Sequence, residues 1–321
     1  NDYAFSGVPM PKMDATVFPA LKTVSNNAFY DSDTFTSVDL PEVITVGNYG
    51  FFRCNGIQTV NLPKCTSIGT SALDQCYNIT SINVPALMQI TGPYAFAGNS
   101  KMTNINFPSL ESTGEQMLNS TGVTSLSLPV CKTIKCGTFF KNDKIISVDM
   151  PEVTTVEESA FNNATAITSI SLPKCTTVSG PYVFAAMSKL TSIDLPVLEN
   201  TCQRMFNGTP GITDLTLLAV KSAGYIFCYQ NAFIKNVNLP VATTIESNAF
   251  DSASALISVS APNVTVINGS RTFSNCAKIE SVLVDSLEKI NGDNTFNNCT
   301  ALKEIHLPKL IATSRSCFYG C

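Results

Sequence analysis

Tryptophan is absent from this sequence, and His306 is its only histidine. A single imidazole cannot build a His-rich zinc site, and it leaves little room for a Ser–His or Cys–His catalytic arrangement. Charge is also scarce. Charged residues make up 14% of the chain, the net charge is −4, and no basic run occurs. Nucleic-acid binding draws on clustered Lys and Arg, so no nucleic-acid partner is expected. No run of about 18 apolar residues is present, so no segment is expected to span a membrane. The phosphate-cradling patterns GxGxxG and GxxxxGK are missing. So is the full calcium-loop pattern, although Asp31-Ser32-Asp33 and Asn291-Gly292-Asp293 carry some of its residue types; both read as turns. Glu157 and Glu158 are an isolated acidic pair with no partner for acid–base work. No cofactor, no metal and no catalytic residue is expected, and the chain reads as a non-enzyme. The sequence opens on Asn1 and shows no signal peptide, so a mature or trimmed form is expected.

What the sequence does have is a period. Prolines fall at Pro19, Pro41, Pro63, Pro85, Pro108, Pro129, Pro151, Pro173, Pro196, Pro240, Pro262 and Pro308, with Leu218 and Asp285 in the two remaining slots. The spacing is 21 to 23 residues throughout. A period in the range of about 20–50 residues marks a stacked repeat. Apolar residues recur six, three and one before the proline, as in Ile167, Ile170 and Leu172 ahead of Pro173, and again two after it, as in Cys175. A large residue, usually Phe, stands ten or eleven after it: Phe29, Phe51, Phe96, Phe139, Phe161, Phe184, Phe206, Phe250, Phe273, Phe296 and Phe318.

Alternation such as Ser169-Ile170-Ser171-Leu172 predicts a short half-buried strand. Proline then closes it, having no N–H to give to a ladder. So short a strand, once per repeat, stacks in parallel on its copy in the next repeat, about 4.8 Å away. The fold class expected is a β-rich solenoid of about fourteen rungs, on the order of 65 Å long. Residues 1–18 read as a partial N-terminal rung or cap, with Ala4-Phe5 preceded by no strand, and 19–321 as the solenoid. The four 23-residue intervals each hold a Gly seven after the reference: Gly92, Gly180, Gly269 and Gly292. An added residue that comes with Gly reads as a bulge or a positive-φ turn. TGPYAF at 91–96 and SGPYVF at 179–184 lie four rungs apart, which points to duplication of four-rung blocks. The rung at Leu218 and Tyr225–Phe233 is irregular, as is the one at Val284–Asp285. The chain stops at Cys317–Cys321, just after a turn, where a solenoid end needs a polar cap. Continuation of the native protein, or a cover on the last rung, is expected.

The segment LTSIDLP at 190–196, followed by an AF turn such as 159–161 or 248–250, resembles the BspA-like leucine-rich repeat. The resemblance runs from about Phe18 to Cys321, with Pro where the commoner leucine-rich repeat has Asn. It implies a right-handed superhelix with a parallel sheet on its concave face. It also implies a secreted or cell-surface protein of a host-associated microbe, engaged in adhesion. It carries over no catalytic or ligand-binding residue.

The twelve cysteines fit the repeat better than a disulfide framework. Cys65, Cys131 and Cys175 take the slot of Val or Leu two after the proline, while Cys54, Cys76, Cys276, Cys299 and Cys321 sit three after the turn residue, where other rungs have Asn, Ala or Thr. They are expected to be buried small residues with free thiols.

One surface pattern remains. Short polar residues occupy the positions four and two before the proline, on the strand face turned away from the core. Asp39, Asn61, Asn83, Asn106, Asp149, Asp194, Asn238 and His306 are the candidate binding residues of this strip. It would face a host or microbial surface protein, or a glycan, at the cell surface or outside the cell. Alternatively the column keeps the strands soluble and in register, and the chain is a structural spacer that presents another domain. Hot spots favour Trp, Tyr and Arg, and the strip has none. The sequence carries no signature of an oligomeric state.

Overall fold

A computed structural model describes residues 2–321, and these form a parallel-strand β-solenoid of about 13 turns without a helix among the described residues. The chain packs as two compact units: Asn1–Val153 with Asn163–Ile167, and Thr154–Asn162 with Thr168–Cys321.

In the first unit, Met13–Asp14, Ser37–Asp39, Thr59–Asn61, Ser81–Asn83 and Asn104–Asn106 form one parallel sheet. Ser125–Ser127 and Ser147–Asp149 pair in a separate sheet. A second ladder joins Thr23–Val24, Thr45–Val46, Ser67–Ile68 and Gln89–Ile90. The second unit repeats the plan. Ser169–Ser171 pairs with Ser192–Asp194, while Asp214–Thr216, Asn236–Asn238, Ser258–Ser260 and Ser281–Leu283 form a four-stranded sheet. Its companion ladder holds Ser222–Ala223, Thr244–Glu246, Val266–Asn268 and Lys289–Ile290.

Register follows the sequence period. Val38 faces Val60, Val60 faces Ile82 and Ile82 faces Ile105. In the second unit Ile170 faces Ile193, and Leu215, Val237, Val259 and Val282 lie in one row. The strands alternate because only their central residue points inward, as in exposed Ser81, buried Ile82 and exposed Asn83.

The proline has a second role. Leu40-Pro41-Glu42-Val43 is a turn closed by the Val43 N–H donating to the Leu40 carbonyl at 3.2 Å, and Leu62–Cys65 and Val84–Leu87 repeat it at 3.0 Å. Proline therefore occupies the second position of a β-turn, where its fixed φ is already suitable. It both ends the strand and bends the chain into the next side of the rung.

The Phe turn is built on two left-handed residues. The positions two before and two after the turn residue have positive φ, for example Asn27 and Asp31, Tyr49 and Arg53, and Asn248 and Ser252. This backbone aims three N–H groups at the next rung: Tyr49, Phe51 and Arg53 donate to the carbonyls of Thr70, Ala72 and Asp74 at 2.8, 2.8 and 3.1 Å. The rings stack along the core. Phe5, Phe29 and Phe51 lie 5.3 and 5.2 Å apart in the first unit. Phe250, Phe273, Phe296 and Phe318 follow at 5.0, 5.0 and 5.1 Å in the second. In the irregular rung Cys228 takes the Phe slot, and the neighbouring Phe227 meets Phe250 edge-on at 6.0 Å.

One strand is added to the sequence reading, and two expectations need correction. After Ala4-Phe5, residues 1–18 add a short strand, Met13–Asp14, which pairs with Val38 and Asp39. Three extra residues separate it from Pro19, so it falls outside the regular offset. Residues 304–306 form no strand, so His306 is exposed but stands off the ladder. Of the four inserted glycines, Gly180 and Gly269 have positive φ, at 74° and 126°. Gly92 and Gly292 are required instead by close approach. A Cβ on Gly92 would lie 2.0 Å from Thr70 Oγ1, and one on Gly292 would lie 1.9 Å from the Gly269 carbonyl.

Candidate interaction face

The polar strip is assembled by the strands. Asp39, Asn61, Asn83 and Asn106 are register partners in the first unit, and Ser127 pairs with Asp149. In the second unit Asp194 pairs with Ser171, and Asn238 lies between Thr216 and Ser260. Asp39, Asn83, Asn106, Asp149 and Asp194 are exposed, whereas Asn61 and Asn238 are half-buried. His306 is the one candidate that this arrangement leaves out.

The side chains of the strip bond mainly to each other. Asn83 Nδ2 donates to Asn61 Oδ1 at 2.7 Å, and Asn61 Nδ2 donates to Asp39 Oδ1 at 2.8 Å. Ser258 Oγ donates to Asn236 Oδ1, and Asn236 Nδ2 to Asp214 Oδ1, both at 2.7 Å. Such ladders fix the register of adjacent rungs. The Asn236 amide and the Thr213 hydroxyl hold the Asp214 carboxyl below its ordinary range.

The ladder is interrupted between Asn104–Asn106 and Ser125–Ser127, which belong to different sheets. An open hollow of about 640 Å³ lies there, lined by Asn104, Asn106, Ser125, Ser127, Ser147 and Asp149 together with Ile105, Leu126 and Val148. Here the polar groups of the strip converge on a recess, and Asn106 and Asp149 are the two candidates it unites.

The turn residues make a different edge, which the strip reading missed. Tyr30 stacks on Phe52 at 5.3 Å, Tyr49 meets Phe52 edge-on at 5.5 Å, and the Arg53 guanidinium lies over Phe52 at 5.3 Å. In the second unit Arg204 sits over Tyr182 at 5.9 Å and over Tyr229 at 5.0 Å, with Nη1 donating to the Tyr182 hydroxyl at 3.1 Å. The signal was present in the columns flanking the Phe, where Tyr and Arg recur between Asn, Gln and Ser.

The slot three after the turn residue carries hydrogen-bond chemistry. The thiols of Cys54, Cys76, Cys276 and Cys299 donate to the carbonyls of Phe29, Phe51, Phe250 and Phe273, one rung back, at 2.9 to 3.1 Å. Asn99 and Asn231 use their amides, and Thr209 its hydroxyl, for the same purpose. These cysteines thus act as small buried donors. Among the described residues no disulfide joins the cysteines, and ten of the twelve are buried. Burial pushes the Cys54, Cys202 and Cys299 thiols up to about 12, and those of Cys65, Cys131 and Cys175 to about 11. Thiols so shifted stay protonated near neutrality and are poor nucleophiles.

The family pattern described as "BspA type Leucine rich repeat region (6 copies)" matches residues 22–134, 119–227 and 224–321. The chain belongs to the BspA-type leucine-rich-repeat family. The fold of this BspA-type chain is similar to that of a leucine-rich repeat protein from Bacteroides ovatus ATCC 8483, with 21% identity, 91% of this chain and 87% of that chain covered, and a TM-score of 0.68. A leucine rich cell surface protein from Faecalibacterium prausnitzii A2-165 matches at 19% identity over 90% of this chain and 83% of its own, with a TM-score of 0.41. A leucine-rich repeat protein from Eubacterium ventriosum ATCC 27560 matches at 21% identity over 90% and 83%, with a TM-score of 0.43. Among curated proteins none matches this chain. Among the described residues no helix is long and apolar enough to cross a membrane, and no group of His, Cys, Asp and Glu is arranged to hold a metal ion.

Proposed function

We propose that this BspA-type array is a non-enzymatic binding module that acts at the microbial surface or outside the cell, where it holds a host or microbial surface protein or a glycan. The observation that carries the reading is the in-register polar strip with its hollow at Asn104–Asn106, Ser125–Ser127 and Ser147–Asp149. Membership of the family and the cell-surface description of the Faecalibacterium protein agree with it. Repeats that contact only their neighbours present long rows of like positions, which suits extended recognition better than catalysis. The test is a binding screen of the purified chain against host matrix proteins and glycans, repeated with Asn61→Lys, Asn83→Lys and Asn106→Lys. Loss of capture by variants that still melt cooperatively is expected, with a modest fall in melting temperature from the broken ladder bonds. Capture unaltered by all three substitutions would place the contact off the strip.

A second reading has one specific observation behind it. The Asp39–Asn61–Asn83 ladder engages its own amide donors internally, as a strip built only to keep rungs in register would do. In that case the array is a spacer, and the same screen returns no ligand.

A further inference from the structure

On the turn edge of the first unit, Tyr77 and Tyr94 stand exposed beside an open cleft of about 680 Å³. Asp74, Gln75, Asn119 and Ser120 line it with them. We propose that this cleft is a binding site for a neutral oligosaccharide. The inference rests on the binding reading above and gives it a site and a ligand class.

The lining selects the ligand by exclusion. It contains no Lys, Arg or His and does contain the Asp74 carboxyl, and the adjacent Arg53 guanidinium is taken up by Gln75 and Phe52, so phosphates, sulfates and acidic sugars find no free counter-charge there. Apart from the two tyrosines, its largest apolar side chain is Ala97, so no pocket exists for the hydrophobic anchor that a peptide partner uses. Two aromatic faces, two amides, a carboxyl and serine hydroxyls remain. An aromatic ring offers a flat apolar face, and its phenol adds a polar handle. A sugar ring offers the complement: C–H groups on one face and hydroxyls around the rim, each able to donate and accept.

The polar groups are fixed in place by their own partners. Gln75 Oε1 accepts from Arg53 Nε at 3.1 Å and from the Tyr77 hydroxyl at 3.3 Å, which leaves the Gln75 amide N–H groups as its remaining donors. Asn119 donates to Gln116 Oε1 at 3.2 Å and accepts from Ser120 Oγ at 2.8 Å. Gly98, at φ 74°, leaves part of the cleft without a side chain. Side chains locked before the ligand arrives lose little freedom on binding, which favours affinity in a shallow site.

The experiment uses the whole chain on an array of neutral oligosaccharides of glucose, galactose, mannose and N-acetylglucosamine, with calorimetry on whatever binds. Tyr77→Ala with Tyr94→Ala should lower affinity by about tenfold or more, since two aromatic contacts are lost. Tyr77→Phe should retain most of it. Melting temperature serves as the folding control, and both rings are exposed enough for their removal to be tolerated. Glycan binding that is lost in the Asn61→Lys, Asn83→Lys, Asn106→Lys variant but kept in the tyrosine variant overturns this inference and leaves the binding reading standing. Capture of a matrix protein without any neutral glycan does the same. Absence of every ligand overturns both.

Discussion

Ile226 is the residue least suited to its position. It sits two before the turn slot of the irregular rung with φ 59°, where other rungs place Asn27, Asn248 and Asn294. A β-branched side chain in the left-handed region is strained by about 1–2 kcal/mol, and Asn adopts that region far more readily. Ile226→Asn should therefore stabilise the chain by about 1 kcal/mol, after part of the strain relief is offset by the loss of a half-buried side chain. Chemical denaturation of the two proteins measures this directly.

Asp74 tests the electrostatics of the turn edge. Burial raises its carboxyl from the ordinary 3.8 to about 6, against the Ser71 hydroxyl, which donates to Oδ2 at 3.1 Å, and the more distant Arg53 guanidinium. Cys76 is the other titratable group that acts with it, and its thiol stays protonated. Because the folded state holds the proton more tightly, this group stabilises the fold most below about 4. The contribution is lost as pH rises through about 6. Asp74→Asn should consequently gain melting temperature relative to the parent between pH 4 and pH 7.5. A difference that stays constant with pH would show that the carboxyl is solvated in the folded chain.

At the scale of the element, the rings stack one on the next through the buried core. Phe273 is fully buried between Phe250 and Phe296, each 5.0 Å away. Phe273→Ala removes both contacts and leaves a cavity, at a cost of about 3–5 kcal/mol. In a stacked array each rung is supported by its neighbours, so hydrogen exchange should quicken first at the amides of Phe250 and Phe273, which donate to the next rung at 2.8 and 2.7 Å. Equal acceleration across residues 29–51 would argue for one indivisible cooperative unit.

The elements were largely legible before the structure because the period repeats each signal many times. Val38, Val60 and Ile82 fell on one row because a strand with one buried face fixes its register. Met13–Asp14 was hidden by three added residues, and residues 304–306 kept the pattern of a strand without pairing as one. The β-turn under each proline was not read, since a missing N–H and a fixed φ leave the same mark in a sequence. The paired left-handed residues around each Phe were invisible too. Their column mixes Tyr, Arg, Ser, Gln and Ile, and only Asn and Gly advertise positive φ.

For the whole molecule, the solenoid class followed from the period, and the polar strip followed from strand alternation. The hollow at Asn106 and Asp149 did not, because it depends on where one sheet stops and the next begins. The cleft beside Tyr77 and Tyr94 did not either. Its residues come from three successive rungs at positions that vary from one repeat to the next, so no column marks them.

The buried sulfhydryls carry a consequence for the protein's history. The ten buried cysteines, spread from Cys54 to Cys317, are harmless once coiled away, but each is open to cross-linking while the chain is still extended. If the protein works outside the cell, every winding must close faster than oxidant arrives. The tempo of coiling, as much as the finished architecture, then decides whether a usable molecule reaches the surface.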